Sequence, residues 1–350
     1  MVAERHFGLL RLLWIIAALF IWLSQPSAVL LAAPEAPDAG VQVIYNPPSC
    51  LFPTTPWDPA AQAAFEQAAA VWDALLVSDQ LLRIHACWAS HASLGVLGYG
   101  GTTFLHADFD NAPLAGTLYP AALANALAGS DLNDDDGWDS DGDGDDMDVE
   151  IVATFDSQAE WDFSTDGVIA KDKFEFFSVV LHELGHALGI TGGLLVDGVK
   201  GWWWNTMPNV YDRFAEDAAG ISLLDTTTYP DGSAELAQVL QSGAIYFDGP
   251  FARDANGGER VPLYAPAQYS SSTYHHLDDA FDGTVDALMT PNRWAGESYR
   301  HPGWVALGLL RDMGWTVADD GGPDPDPGTD PEPNPDTGTP LKVYVPVIRR

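Results

Sequence analysis

The sequence predicts an α+β fold, and three observations carry that reading. Short alternating or apolar stretches at 41–45, 82–88 and 149–155 have the pattern of strands. Segments 58–76, 174–188 and 302–313 instead carry apolar residues at helical spacing. The two kinds of segment are interleaved along the chain, so strands and helices are expected to share one core over residues 41–317. The chain is also 47% apolar, with 13 Trp, 15 Phe and 11 Tyr, a payload that disordered acidic chains lack.

Taken in order, the N-terminus has the pattern of a secretory signal. Arg5 and Arg11 flank the start of an unbroken apolar run, Leu12 to Leu23, and small residues follow from Ser27 to Ala33. Twelve apolar residues are too few to cross a ~30 Å hydrocarbon layer comfortably, so residues 1–33 are predicted to be a cleaved signal peptide with no stable membrane insertion afterwards. An uncleaved anchor is the alternative, and the cleavage point is open among Ala28, Ala32, Ala33 and Ala36. After the strand at 41–45, Asp58 is placed to cap a helix whose first turn holds Pro59. Phe65, Ala69, Trp72 and Leu76 follow on one face. Residues 94–119 are Gly-rich and irregular with strand-like pieces. Residues 192–290 are turn-rich, with short helices expected at 210–218 and 233–241. Beyond Val317 the composition changes: 318–340 is a Pro/Asp-rich, solvated linker. The apolar and basic tail 341–350 is expected either to pair as an edge strand or to serve as a surface-attachment tag.

Charge excludes some functions. With 15 Lys+Arg against 50 Asp+Glu the net charge is −35, and a basic face for nucleic acid or anionic lipid is missing. The acid is concentrated: residues 131–150 hold 11 Asp/Glu and residues 319–336 hold seven more. Cys50 and Cys87 are the only cysteines. In an exported chain they are expected to pair, the alternative being two buried thiols. Two cysteines without a CxxC make a structural zinc site a poor reading.

The strongest chemical signal is HELGHALG at 182–189. On a helix, His182 and His186 lie one above the other on one face, where two neutral imidazoles reach a single Zn²⁺. Glu183 beside them is placed to polarise a water as general base. Gly189 is expected to end the helix or turn the chain sharply. A catalytic zinc needs a third protein ligand and an open position.

At these residues the chain resembles the metzincin metallopeptidases, whose pattern is HExxHxxGxxH/D followed by a Met-turn. His182, Glu183, His186 and Gly189 match, but the third ligand position is Gly192, which has no side chain to coordinate with. Further on, YHHLDDAFDGTVDALMTP at 274–291 is similar to the leishmanolysin type, in which a long insertion precedes the third His. His276-Leu277-Asp278 and Leu288-Met289-Thr290-Pro291 match that order. The resemblance implies His276 as third zinc ligand, with His275 as the alternative one residue away, and Met289 as an apolar floor beneath the ligands. It also implies an upper half with a twisted mixed sheet and the active-site helix, a lower irregular C-terminal subdomain, and a cleft between them. VEIVATF at 149–155 would then be the strand lying antiparallel to the bound peptide. The implied activity is zinc-dependent hydrolysis of protein or peptide substrates outside the cell. A gluzincin-type site with Glu216 as third ligand is the rival, and a non-catalytic secreted binding protein stabilised by calcium is a second class.

DSDGDGDDMDVE at 139–150 fits a calcium-loop pattern. Asp139, Asp141, Asp143 and Asp145 alternate, Gly144 marks the turn, and Glu150 falls at the twelfth place. Asp131, Asn133 and Asp135 offer a poorer second set, and a solvated acidic insertion is the alternative. Trp202, Trp203 and Trp204 either border a substrate pocket or pack on the core. Tyr211 and Asp212 are assigned to neither core nor cleft. His85, His91, His106 and His301 have no ligand spacing.

Overall fold

The computed structural model describes residues 40–90, 95–133, 149–318 and 341–342. Strand β1 (Val41–Tyr45) runs parallel to β2 (Leu82–Ala89), with Val41 opposite Leu82, and helix α1 (Pro59–Leu75) makes the crossover that parallel pairing requires. As expected, the Asp58 carboxylate accepts the Ala60 N–H and Pro59 occupies the first turn. The disulfide Cys50–Cys87 ties the loop after β1 to β2, with the two Cα atoms 5.8 Å apart.

Strand β3 (Gly98–Thr102) follows, and then helix α2 (Ala121–Ala128), which is not among the helices that the sequence predicts. Its flanks carry readable signals: Pro120 directly before it and Gly129, at φ +67°, directly after it. Strand β4 (Ile151–Asp156) completes a four-stranded mixed sheet of order β1-β2-β4-β3. β4 is parallel to β2 and antiparallel to β3, so VEIVATF is an interior strand. β3, not β4, lies at the edge of the sheet on that side. The glycines that made this stretch look irregular have a packing purpose: a Cβ on Gly100 would stand 2.3 Å from the Glu183 carbonyl oxygen. β3 therefore presses its backbone directly on the next helix.

That helix, α3 (Phe176–Ala187), is buried along its whole length, as its apolar FFSVVL body requires. α1 packs against it, and the Trp72 Nε1–H donates to the Leu181 carbonyl at 3.0 Å. Its N-terminus is fastened to a distant loop. The buried Glu175 carboxylate meets Arg300 and Ser298, and the Tyr299 N–H donates to Ser178 Oγ at 2.7 Å.

Beyond α3 the chain forms small units. Strands β5 (Leu194–Asp197) and β6 (Lys200–Trp203) make a hairpin, followed by a 3₁₀ turn at Val210–Phe214. Strands β7 (Ala215–Asp217), β8 (Ile245–Phe247) and β9 (Val261–Leu263) make a three-stranded antiparallel sheet. Helices α4 (Ala234–Val239) and α5 (Pro250–Ala255) lie between these strands in sequence. Strand β10 (Asn292–Arg293) and helix α6 (Trp304–Met313) follow. Strand β11 (Leu341–Lys342) pairs antiparallel with β10, so the start of the tail takes the strand option. One apolar core runs through both halves, from Phe65 and Ile84 to Phe247 and Leu310.

Among the described residues no helix is long and apolar enough to cross a membrane. The predicted signal at 1–33, the linker over 319–340 and the end of the tail at 343–350 lie outside the described residues.

Candidate metal centre

His182 and His186 project from one face of α3, and His276 comes from the loop after β9. The Nε2 atom of His186 lies 3.0 Å from that of His182 and 3.1 Å from that of His276. Tetrahedral zinc ligation by imidazoles would set such nitrogens ~3.3 Å apart. Each ring turns its other nitrogen to a backbone carbonyl: His182 Nδ1 to Leu288, His186 Nδ1 to Ile190 at 2.8 Å and His276 Nδ1 to Ser272 at 2.9 Å. A carbonyl only accepts, so each Nδ1 carries the proton and the three Nε2 lone pairs converge.

Electrostatics agree with this geometry. Burial, reinforced by the neighbouring imidazoles and Arg293, holds His182 well below its usual pKa, and burial lowers His186 to about 4. Burial and the adjacent His186 also hold His276 well below its usual value. All three are therefore neutral imidazoles at pH 7. The trio can hold a metal ion, and it is the only such group among the described residues.

Glu183 is fully buried, and neither carboxylate oxygen has a hydrogen-bond partner. Burial drives its pKa well up, against the opposing pull of the Gly100 N–H and the Arg293 guanidinium. An unpartnered buried carboxylate thus lies beside three imidazoles that could together hold a metal ion.

Met289, fully buried in a 3₁₀ turn at Ala287–Met289, sits under α3, and a Cβ on Gly185 would be 2.9 Å from its sulfur. The Leu277 N–H donates to the Met289 carbonyl at 2.9 Å, joining this turn to the loop that carries His276. Buried Arg293 donates to the carbonyls of Ala287, Leu288 and Thr290, so the Leu288 carbonyl that orients His182 is itself held. The sequence offered no signal for this arginine.

Gly189 adopts φ +133° directly after the helix, a conformation natural to glycine, and turns the chain sharply. Gly192, the position at which the resemblance would put a third ligand, has no room for a side chain. A Cβ there would lie 2.0 Å from Tyr274 Cε1, so the ring of the incoming loop fills the space a local third ligand would need. His275, the alternative to His276, points elsewhere: its Nδ1 accepts the Gly192 N–H at 3.1 Å. Glu216, the rival third ligand, lies on β7 paired with Arg260 and outside the trio.

Of the candidate calcium ligands, Asp139, Asp141, Asp143 and Asp145 lie outside the described residues. Glu150 is buried. One of its oxygens accepts the Arg83 N–H at 2.7 Å and the other accepts Asn125 Nδ2 at 3.1 Å. Burial raises its pKa to about 7. Trp202 and Trp204 are 38% and 41% exposed on and beside the β5–β6 hairpin. His85 bonds Ser49 and His106 bonds Asn133, ordinary structural roles.

The chain matches no protein-family model, no curated protein and no solved structure.

Proposed function

We propose that this protein is an exported zinc-dependent endopeptidase of metzincin-like design. The observation that supports it most is the convergence of the His182, His186 and His276 Nε2 atoms beside the unpartnered carboxylate of Glu183. Three imidazoles fit zinc, and a bound zinc supplies a Lewis acid that acidifies water and polarises a peptide carbonyl. Glu183 takes the proton from the attacking water and delivers it to the leaving amine. Its burial favours this exchange, because a carboxylate with few competing donors is a stronger base. The Leu288, Ile190 and Ser272 carbonyls hold the three rings in the tautomer that leaves Nε2 free. The edge strand β3, pressed on α3 at Gly100, supports this reading, because a free sheet edge can align an extended peptide. Export through residues 1–33 accords with the disulfide, which needs an oxidising compartment.

The near-complete burial of His182, Glu183, His186 and His276 favours a second reading, a closed metal centre without turnover. One assay separates the two. Hydrolysis of a quenched peptide library or casein should be seen, should stop with a chelator and should return with zinc. Glu183→Gln should keep one zinc per chain and lose ~10²–10⁴-fold in rate. Stoichiometric zinc without any chelator-sensitive hydrolysis would establish the closed centre instead.

A further inference from the structure

The third ligand lies 90 residues after the metal helix, on a loop with no regular structure to aim it. Two adjacent residues of the Val210–Phe214 turn do that work. Asp212 is fully buried and its Oδ1 accepts the Tyr274 hydroxyl at 2.8 Å and the Gly193 N–H at 2.8 Å. Its Oδ2 accepts the Asn209 N–H at 2.7 Å. One carboxylate thus joins the chain leaving α3, the turn it belongs to and the loop carrying His276. Tyr211 Oη donates to the Tyr274 carbonyl at 3.0 Å, so Tyr274 is gripped at both ends by neighbours in sequence.

Tyr274 needs that grip. Its φ is +76°, a left-handed conformation that bulky residues avoid, and the other described non-glycine residues with positive φ are all Asn or Asp. Such a conformation persists only where the surroundings over-determine it. The Tyr274 N–H also donates to the Tyr264 carbonyl at 2.7 Å, and the Tyr264 N–H to the His276 carbonyl at 3.0 Å. Two residues further on, His276 Nε2 meets His186 Nε2. Were Tyr274 to relax to negative φ, the chain would leave it in another direction and the His276 ring would swing away from the trio.

Resting on the metal-centre reading above, we infer that Asp212 is a positioning residue for the third metal ligand, holding Tyr274 in the backbone conformation that delivers His276 to the ion. It touches neither metal nor substrate and acts through the Tyr274 hydroxyl and the Gly193 amide. The sequence carries a faint trace of it: Asn209 and Asp212 have the spacing of a capping box, of which the structure forms the bond from the Asn209 N–H to the Asp212 carboxylate.

The test uses the full mature chain and metal alone. Zinc affinity is measured by chelator competition and ligand geometry by the visible spectrum of the cobalt(II)-substituted protein. The proteins are wild type, Asp212→Asn, Tyr274→Phe and His276→Ala, with apo-protein melting recorded for each. Tyr274→Phe keeps the ring beside Gly192 and loses only the bond to Asp212. It should remain folded, bind zinc ~10–100-fold more weakly and show an altered cobalt spectrum. Asp212→Asn should do the same, with its apo melting temperature reduced as well. If both variants bind zinc with wild-type affinity and give the wild-type spectrum, Asp212 is only a structural carboxylate and the inference fails. If wild type binds no zinc, or His276→Ala binds as wild type does, the metal-centre reading fails instead.

Discussion

Two regions supply the three converging imidazoles, and they do so by different means. His182 and His186 stand on α3, where the helical repeat alone puts them on one face and a fully apolar body holds the helix in the core. His276 stands on an irregular loop, and its place depends on Tyr274 at positive φ, on Asp212 and Tyr211, and on glycine at 192. The first region is specified by periodicity and burial, which tolerate small errors. The second is specified by individual hydrogen bonds and by one vacant Cβ, which do not. The sheet half should therefore lose stability without losing its ligand geometry, and the loop half should lose both together.

The largest effect tests the sheet half. The Cys50–Cys87 bridge closes a separation of 37 residues. Its removal by Cys50→Ser with Cys87→Ser should cost ~4 kcal/mol on the chain-entropy model, read from chemical denaturation. Zinc affinity of the folded fraction should be unchanged. A matching loss of zinc affinity would show that the two halves are not separable in this way.

The next tests the loop half by pH. Burial raises the Asp212 pKa from 3.8 to about 6. The folded state therefore holds this proton more tightly than the unfolded chain, so the contribution is fully present below pH 3.8 and is lost as pH rises through about 6. Fully expressed, the shift corresponds to ~3 kcal/mol. The stability difference between wild type and Asp212→Asn should change in that direction between pH 4 and 7, wild type losing ground. A difference independent of pH would mean that the carboxyl titrates normally.

Gly192→Ala follows, expected to cost ~1–3 kcal/mol because its Cβ collides with the Tyr274 ring, and to weaken zinc binding as well. An alanine variant with wild-type melting and zinc affinity would remove the steric account of the missing local ligand. The smallest effect returns to the sheet half: Asp58→Ala should lower stability by ~1 kcal/mol through loss of the α1 cap, with no change in metal affinity.

Much of this was legible in the residues. The cap at Asp58, the β1 and β2 strands, the metal helix and the last helix were all readable, because caps, alternation and 3.6-residue spacing are local properties of the chain. The role of β4 was misread. Its apolar run is that of a strand covered on both faces, and only pairing with β2 and β3 shows it to be interior. The glycines of β3 looked like irregularity because a close approach to α3 leaves no trace in spacing. Helix α2 was overlooked although Pro120 and Gly129 bracket it.

The sequence by itself determined that two imidazoles and a carboxylate share one buried helix, and that two cysteines were available to pair. These follow from chemistry within a few residues or from simple counting. Only the tertiary structure decided that His276 rather than His275 or Glu216 completes the trio, and that Tyr274 fills the space over Gly192. The physical reason is range. A choice between adjacent histidines 90 residues from the helix rests on one positive φ and a few hydrogen bonds, which exist only once distant segments are packed together.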